Sequence, residues 1–405
     1  MKNILIAIRS IFKKGRHNVM KIVSLGIGLA VGLVLIAKVY FEQSYDDFYP
    51  DRDRVYQVWA KYQQNGGELK DYPQTSGGIA PTMQQQIPEI ETVTRYTSFG
   101  DWTFTMTDTK MKYSGRCIIA DSCFFDILPR PMLIGNAKEV LSTPMYVLIS
   151  SRIAKNIGGD VIGKNFTVDN SPGRTMTIGG VFEEVPENSH SRYDVIVSMA
   201  SAGRFMWEGS PTNMLGNDRY ISYVKLHKGV NPLALEEQVR TFVNSYFPPE
   251  EQQKVGLSID FSFHKLDNLH KELPQVKRMT WILSLLAFAL IFTAVMNYIL
   301  IVISSIVNRS KEVAVHKCYG ASENNIHGMM FGEALVHIVL SLILALLLIL
   351  AFRGTVEELL ATSLDSLLLS NGSLVLLGIC ILVFFVSGFM PGSLYARIPV
   401  ASAFR

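Results

Sequence analysis

The stretch KRMTWILSLLAFALIFTAVMNYILIVISSIVNRSKEVAVHKCYGASENNIHGMMFGEALVHIVLSLILALLLILAFR, residues 277–353, constrains everything around it. It holds two apolar runs joined by a short basic loop. The first run, 279–307, has Asn297 as its most polar residue. The second, 329–352, is interrupted by Glu333 and His337. A hydrocarbon core of about 30 Å takes ~20 helical residues, so each run is long enough to cross a bilayer. Between them, NRSKEVAVHKCYGASENNIHG (308–328) carries Arg309, Lys311 and Lys317. Short loops rich in Lys and Arg stay on the cytoplasmic side. The stretch therefore predicts a membrane hairpin whose turn faces inward.

The loop also predicts structure of its own. Residues 311–319 are helix formers, and Gly320 is a natural stop because it adopts a left-handed C-terminal cap without a Cβ clash. Ser322 can cap the next helix, with Glu323 in its first turn beside the positive end of the dipole. On these grounds alone the loop is either a short helix with a task or a basic turn that only fixes topology.

Of the 405 residues, 48% are hydrophobic, and the mean hydropathy is positive. That is too apolar for an ordinary soluble protein and too polar for a pure bundle of spans. The mixture predicts a few spanning helices and one large soluble domain. A net charge of +3 makes no case for nucleic-acid binding. The cysteines Cys117, Cys123, Cys318 and Cys380 are dispersed, without C-x-x-C or zinc spacing. A Cys117–Cys123 disulfide stays open and would need an extracytoplasmic setting.

Residues 1–21 combine Arg9, Lys13, Lys14, Arg16 and His17 with Ile4, Leu5, Ile8, Ile11 and Phe12 at helical spacing. This is a basic amphipathic segment suited to the membrane interface. Residues 22–41 form a first span, too long for a signal peptide and followed by no small-x-small cleavage site. Residues 42–49 read as its polar extension. Ser24, Gly28 and Gly32 share one face. Such a face marks close helix packing, for instance at a dimer interface, or is ordinary glycine enrichment in a membrane helix. Lys38, near the outer end, is placed to snorkel to the headgroups.

Residues 42–278 hold no spanning run and contain most of the prolines. Strands are expected at 54–62, 91–98, 102–106, 112–120, 147–150, 166–168, 175–182, 220–226 and 257–266. Helices are expected at 77–86, 151–156 and 232–246, the last opened by Asn231. Helices and strands intermix, so the domain reads as α+β in two lobes, with a middle lobe at about 99–193 inserted into the other. After the second span (279–307), the loop (308–328) and the third span (329–352), an outer loop (353–372) carries Glu357, Glu358 and Asp365. A fourth span (373–390) and a tail (391–405) with Arg397 and Arg405 follow. Basic residues thus gather at the N-terminus, the 308–328 loop and the tail. The fold class is a membrane protein of four transmembrane helices, both termini cytoplasmic, with a large extracytoplasmic α+β domain between the first two spans.

The pattern R-x-K-E-V-A-V-x-K-x-x-G-A-S, running from Arg309 to Ser322, closely resembles the segment after the second membrane helix in MacB/FtsX-type permeases, the type VII ABC transporters. SYDDFYPDRDRVYQV (44–58), ADSCFFDIL (120–128), VLISSRIAKNIGGDVIGKNF (147–166) and VFEEVPENSHSRYDVIVSM (181–199) resemble the MacB-like periplasmic domain of large relatives. ARIPVASAFR is similar to the family's exit motif, with Phe404 replacing the usual leucine. The resemblance implies that 311–319 is a coupling helix. It would dock on the dimer of a separate cytoplasmic ATPase through Arg309, Lys311, Glu312, Val313, His316, Lys317, Tyr319 and Gly320. His316 stands where Arg or Leu is common, which leaves partner choice open. The resemblance further implies a permease of the inner membrane with no enzyme activity or cofactor of its own, ATP and Mg being bound by the partner. Many relatives carry two such units, so this single unit implies a second permease subunit, identical or different. It also implies contact with membrane lipids and leaves room for a periplasmic or outer-membrane partner.

Other motifs read as structural. Gly158, Gly163 and Lys164 mimic a phosphate-binding loop, but Asn165 replaces the magnesium-binding hydroxyl and a strand pattern follows. Glu333 and His337, four apart, share a helix face and read as a structural pair more than a proton path. Glu187 and His190 read as a solvated or structural loop rather than a metal or acid–base site. Asp46, Asp47, Asp51 and Asp53 lack calcium-loop spacing. The leading expectation is a permease that couples ATP hydrolysis in its partner to movement of the outer domain, acting on a lipid, lipoprotein, peptide or hydrophobic drug. The alternative is a non-transporting FtsX-like regulator or sensor of a cell-wall enzyme or kinase.

Overall fold

The computed structural model describes residues 18–304, apart from residue 170, and residues 322–368, with isolated positions such as Val315, Cys318 and Tyr319. The expected fourth span, most of the amphipathic N-terminal segment and the tail lie outside these residues. The chain divides into two compact units, Met1–Ser44 with Leu273–Arg405, and Tyr45–Glu272.

Among the described residues, three long helices build the first unit: Asn18–Gln43, Pro274–Ser304 and Glu323–Ala351. Each has a segment long and apolar enough to cross a membrane. The first packs against both others. Its Leu25, Leu29, Ala30 and Val34 share a core with Tyr298 of the second and Ile338, Ala345 and Ile349 of the third. Val23, Ile27, Trp281, Leu285, Phe288 and Leu347 stay exposed on the outside. Helices apolar on every side suit a lipid surround. The first helix stops at Gln43, short of the expected polar extension to residue 49. There Ser44 folds back, and its N–H and Oγ both donate to the Phe41 carbonyl, at 3.1 and 2.9 Å. Two short helices, Arg353–Leu360 and Leu364–Leu368, occupy the loop after the third span.

The second unit holds one sheet of eleven strands among the described residues. They are β1 (Val55–Gln64), β2 (Leu69–Tyr72), β3 (Ile90–Met106), β4 (Lys112–Ala120), β5 (Met132–Ile134), β6 (Tyr146–Ser150), β7 (Asn165–Val168), β8 (Ser171–Phe182), β9 (Val195–Ser198), β10 (Ile221–Leu226) and β11 (Leu257–Lys265). The order is β11-β1-β10-β3-β4-β9-β6-β8-β5, with β2 beside β1 and β7 beside both β3 and β8. Four helices matter below: α1 (Ile79–Gln86), α2 (Ser151–Ile157), α3 (Glu236–Tyr246) and α4 (Pro249–Val255).

At one end, β1, α1, β3, β10, α3 and β11 form a β-α-β-β-α-β unit with antiparallel strands in the order β11-β1-β10-β3. This is the ferredoxin-like arrangement. Alternation places Tyr56, Val58 and Ala60 of β1 with Ile259 and Phe261 of β11 against Met83 of α1 and Val239, Phe242 and Val243 of α3. Fully burying side chains of this size stabilises by roughly 1.5–3 kcal/mol each. At the other end, β3, β4, β9, β6, β8 and β7 close a six-strand ring. Inside lie Trp102, Phe104, Ile119, Ile149, Phe166, Ile178 and Val197.

The expected inserted lobe is therefore not a separate sheet. The two strand patterns at 91–98 and 102–106 are one strand of 17 residues. A bulge between Ser98 and Gly100 lets it bend, and Gly100, at φ +75°, takes the left-handed conformation this requires. The first half of β3 serves the ferredoxin-like end and the second half the ring, so both ends share a strand.

Candidate functional site

In the first unit, small residues decide the packing. A Cβ added to Gly28 would lie 2.3 Å from Ala294 Cβ, and one added to Gly32 would lie 2.6 Å from Ile291 Cγ1. Neither contact is physically tolerable, so only glycine lets the first two long helices approach this closely. One turn earlier, Ser24 Oγ accepts a hydrogen bond from Asn297 Nδ2 at 3.3 Å. The face of Ser24, Gly28 and Gly32 is thus filled by the second helix of the same chain. That replaces the dimer interface offered for it by the sequence.

Lys38 does not snorkel. It is buried, its Nζ 2.6 Å from Glu42 Oε1, donating to Thr362 Oγ1 at 2.7 Å and lying 5.1 Å from the centre of the Phe41 ring. A carboxylate one turn along the helix and a hydroxyl from the 353–368 loop supply the partners that headgroups would have offered. Glu333 and His337 are both buried, and the His337 ring meets Tyr298 edge-on at 6.4 Å.

Of the coupling-helix residues, Arg309, Lys311, Glu312, Val313, His316, Lys317 and Gly320 lie outside the described residues. Tyr319 is exposed, and its N–H donates to the Val315 carbonyl at 3.1 Å, one helical turn. Ser322 Oγ accepts from Asn325 N–H at 3.4 Å and caps the third long helix.

In the second unit, a buried polar cluster holds the first residues of the domain. Asp46 is fully buried with a left-handed backbone, φ +60°. Its N–H donates to the Asn188 carbonyl at 2.9 Å. Its carboxylate accepts from Ser189 Oγ at 3.0 Å and His190 N–H at 3.3 Å, and lies 2.7 Å from His190 Nδ1. The other ring nitrogen of His190 bonds the Tyr223 hydroxyl on β10. Ser191 Oγ donates to the Tyr96 hydroxyl at 2.8 Å. Burial pushes the Tyr96 phenol up to about 12 and Tyr223 higher still, so both stay neutral. The loop after β8 thereby clamps the segment on which the chain comes into the domain.

The segment on which it leaves is tied to the same place. Tyr45 and His270 stack at 3.4 Å. Lys271 Nζ lies 2.8 Å from Asp267 and 3.4 Å from Asp47, and Arg52 reaches Asp267 at 3.6 Å. Burial alone would raise the Asp267 carboxyl, but Lys271 and Arg52 hold it below the usual range. Asp51 is likewise held low, first by Lys225 and then by Arg54.

Sequence reasoning took Glu187 and His190 as an ordinary loop and set the aspartates 46, 47, 51 and 53 aside. It did not bring Asp46 to His190, 144 residues away. The cluster is a structural clamp with no nucleophile open to a substrate. Among the described residues no group of three His, Cys, Asp or Glu could hold a metal. Gly163, at φ +77°, forms a turn into β7, not a helix N-terminus. Cys117 and Cys123 are free thiols. Cys117 is buried in β4, and Cys123 Sγ donates to the Val93 carbonyl at 3.1 Å.

Two family models match this chain in series. The MacB-like periplasmic core domain covers residues 20–242, and the FtsX-like permease C-terminal region covers 284–400. No curated protein matches. Among solved structures, a domain described as belonging to a permease protein from Porphyromonas gingivalis is 33% identical, over 54% of this chain and 91% of that one, with a TM-score of 0.49. The periplasmic region of MacB from Actinobacillus actinomycetemcomitans is 14% identical, over 51% and 87%, at 0.36. The extracellular domain of the noncanonic ABC-type transporter YknZ from Gram-positive bacteria is 11% identical, over 51% and 98%, also at 0.36.

Proposed function

The chain belongs to the MacB/FtsX-type transporter permeases, and from that premise we propose that it is the membrane subunit of an ATP-driven machine that works by moving its outer domain. The observation that carries this reading is the serial match, a periplasmic core domain followed by a permease region that contains the 308–328 loop. A separate cytoplasmic ATPase dimer binds ATP and Mg and closes on helix 311–319. The first and second spans run by chain continuity into the two tied segments of the outer domain and carry the motion there. Such coupling between distant sites needs a two-state rigid element. A second permease subunit completes the assembly in the inner membrane, with both termini inside. The substrate is a lipid, lipoprotein, peptide or hydrophobic drug met in the membrane or outside it.

Two measurements test this. Purification of the full chain in mild detergent should bring down an ATPase, while a cell-wall hydrolase in its place would favour the regulator. The pair Glu312→Lys and Val313→Asp should lower stimulated ATP turnover to that of the ATPase alone, with the permease still inserted. Unchanged binding and turnover would reduce the loop to a topological hairpin. Orientation is checked by impermeant thiol labelling of intact cells, which should reach Gln253→Cys and not Ser310→Cys in a cysteine-free background.

A further inference from the structure

We propose that β11 is a docking edge that takes up an extended segment of a partner polypeptide as an added strand. β11 ends the sheet, with β1 on one side and no strand on the other among the described residues. Asn65 N–H donates to the Gly256 carbonyl at 2.7 Å, which sets the phase of the pairing. Residues 258, 260, 262 and 264 turn their backbone toward β1, and Ile259, Phe261 and Phe263 turn theirs outward.

Two of these outward groups are held by stand-ins. Ile259 N–H donates to Gln252 Oε1 at 2.9 Å, and Phe261 N–H donates to Asp260 Oδ1 at 2.8 Å. Each side-chain oxygen sits where a carbonyl of a neighbouring strand would. The N–H of Phe263 and the carbonyls of Ile259, Phe261 and Phe263 meet no partner among the described residues. Lys61 stands directly opposite Asp260 across the β1–β11 pair, yet the Asp260 carboxylate is turned to the edge instead. A docking strand supplies its own carbonyl to Phe261 and frees Asp260 for Lys61.

The space beside the edge fits one chain. A cleft of about 900 Å³ runs along β11, walled by α3 and α4. Val239, Val243, Phe261 and Phe263 give it an apolar side, with Leu233 exposed on its rim. Arg240 lines it without an ion-pair partner among the described residues. The occupant is therefore an extended segment with apolar residues at every second position and a carboxylate to meet Arg240. Backbone bonds give such strand addition its affinity, and alternate side chains give it specificity. A second copy of this chain is the alternative that the test below excludes. This site rests on the strand edge rather than on the transport reading, and the ATPase pull-down can fail without touching it.

The test uses the full chain in lipid nanodiscs and a library of end-blocked nine-residue peptides that alternate apolar and polar residues. Binders should be enriched in Asp or Glu. N-methylation at one alternate set of peptide positions should weaken them at least tenfold, and at the other set leave them unchanged. Arg240→Glu and Leu233→Glu, both at exposed positions, should each weaken binding at least fivefold with the unfolding midpoint unchanged. Absence of binders, equal sensitivity of both N-methyl sets, or indifference to both substitutions would overturn the proposal. So would sedimentation showing that the edge variants change the number of copies of this chain in the particle.

Discussion

The glycine seam of the helical unit and the Asp46–His190 clamp of the outer domain do the same job by opposite means. Each fixes a chain segment within its own unit. The seam works by leaving side chains out, so that Gly28 and Gly32 admit Ala294 and Ile291. The clamp works by burying a charge and surrounding it with donors, a ring nitrogen, a hydroxyl and a backbone N–H. The first is tolerant of polarity and intolerant of volume. The second is tolerant of small changes in shape and intolerant of a lost partner. Substitutions should separate the two regions cleanly.

The largest effect is expected at the clamp. Removing a hydrogen-bond partner from a buried carboxylate leaves that group short of a donor and costs more than the ~1–3 kcal/mol of an orphaned neutral group. His190→Ala should lower the thermal unfolding midpoint of the outer domain accordingly. Asp46→Asn should cost less, since asparagine tolerates the left-handed backbone and still accepts hydrogen bonds. Combining the two should cost less than their sum, because the orphaned charge is gone. Strict additivity in this double-mutant cycle would mean that Asp46 and His190 are neighbours without being partners.

The seam comes second. Gly28→Ala forces a methyl into the Ala294 contact, an overpacking that costs about 1–3 kcal/mol. Ala294→Gly in the same chain should restore most of the loss, since it vacates the space the new methyl needs. Thermal unfolding of the full chain in detergent reads both. Equal stability of Gly28→Ala and the wild type would show that the helices do not meet there.

The same contrast explains what the sequence could reveal. Ser24, Gly28 and Gly32 announce a close-packed face by spacing alone, because a helix brings every fourth residue to one side. Their partner could not be read, since any helix with a small residue would serve. The strands at 112–120 and 147–150 were legible as short runs with β-branched and aromatic residues bounded by turn residues, and the Ser322 cap from its place before an apolar run. β9 is four buried residues between a loop and a 3-10 turn, and a buried run that short shows no period to tell strand from helix. The clamp was illegible for a stronger reason: its members come from the residues just before β1, the loop after β8 and β10. Only the finished sheet brings them together. Lys38 was misplaced for the same cause, its Thr362 partner lying 324 residues away.

The smallest effect expected is a pH response on β11. His264 on β11 stacks on Trp59 at 4.2 Å. Burial pushes its imidazole below the ordinary 6.5, with Lys61 adding to the shift and Asp71 opposing it. Folding therefore favours the neutral ring. Between the lower folded value and 6.5 the unfolded chain binds more protons than the folded one, so stability rises with pH. The contribution is complete above 6.5 and is lost as pH falls through the folded value. His264→Phe keeps a ring against Trp59 and removes the proton. Unfolding midpoints measured between pH 7.5 and 5 should fall less steeply in the variant than in the wild type. Asp51 and Asp267, held below the usual carboxylate range, lose their contributions only as pH falls below about 4. Parallel slopes across pH 7.5 to 5 would assign the response to another group and leave His264 a passive neighbour of Trp59.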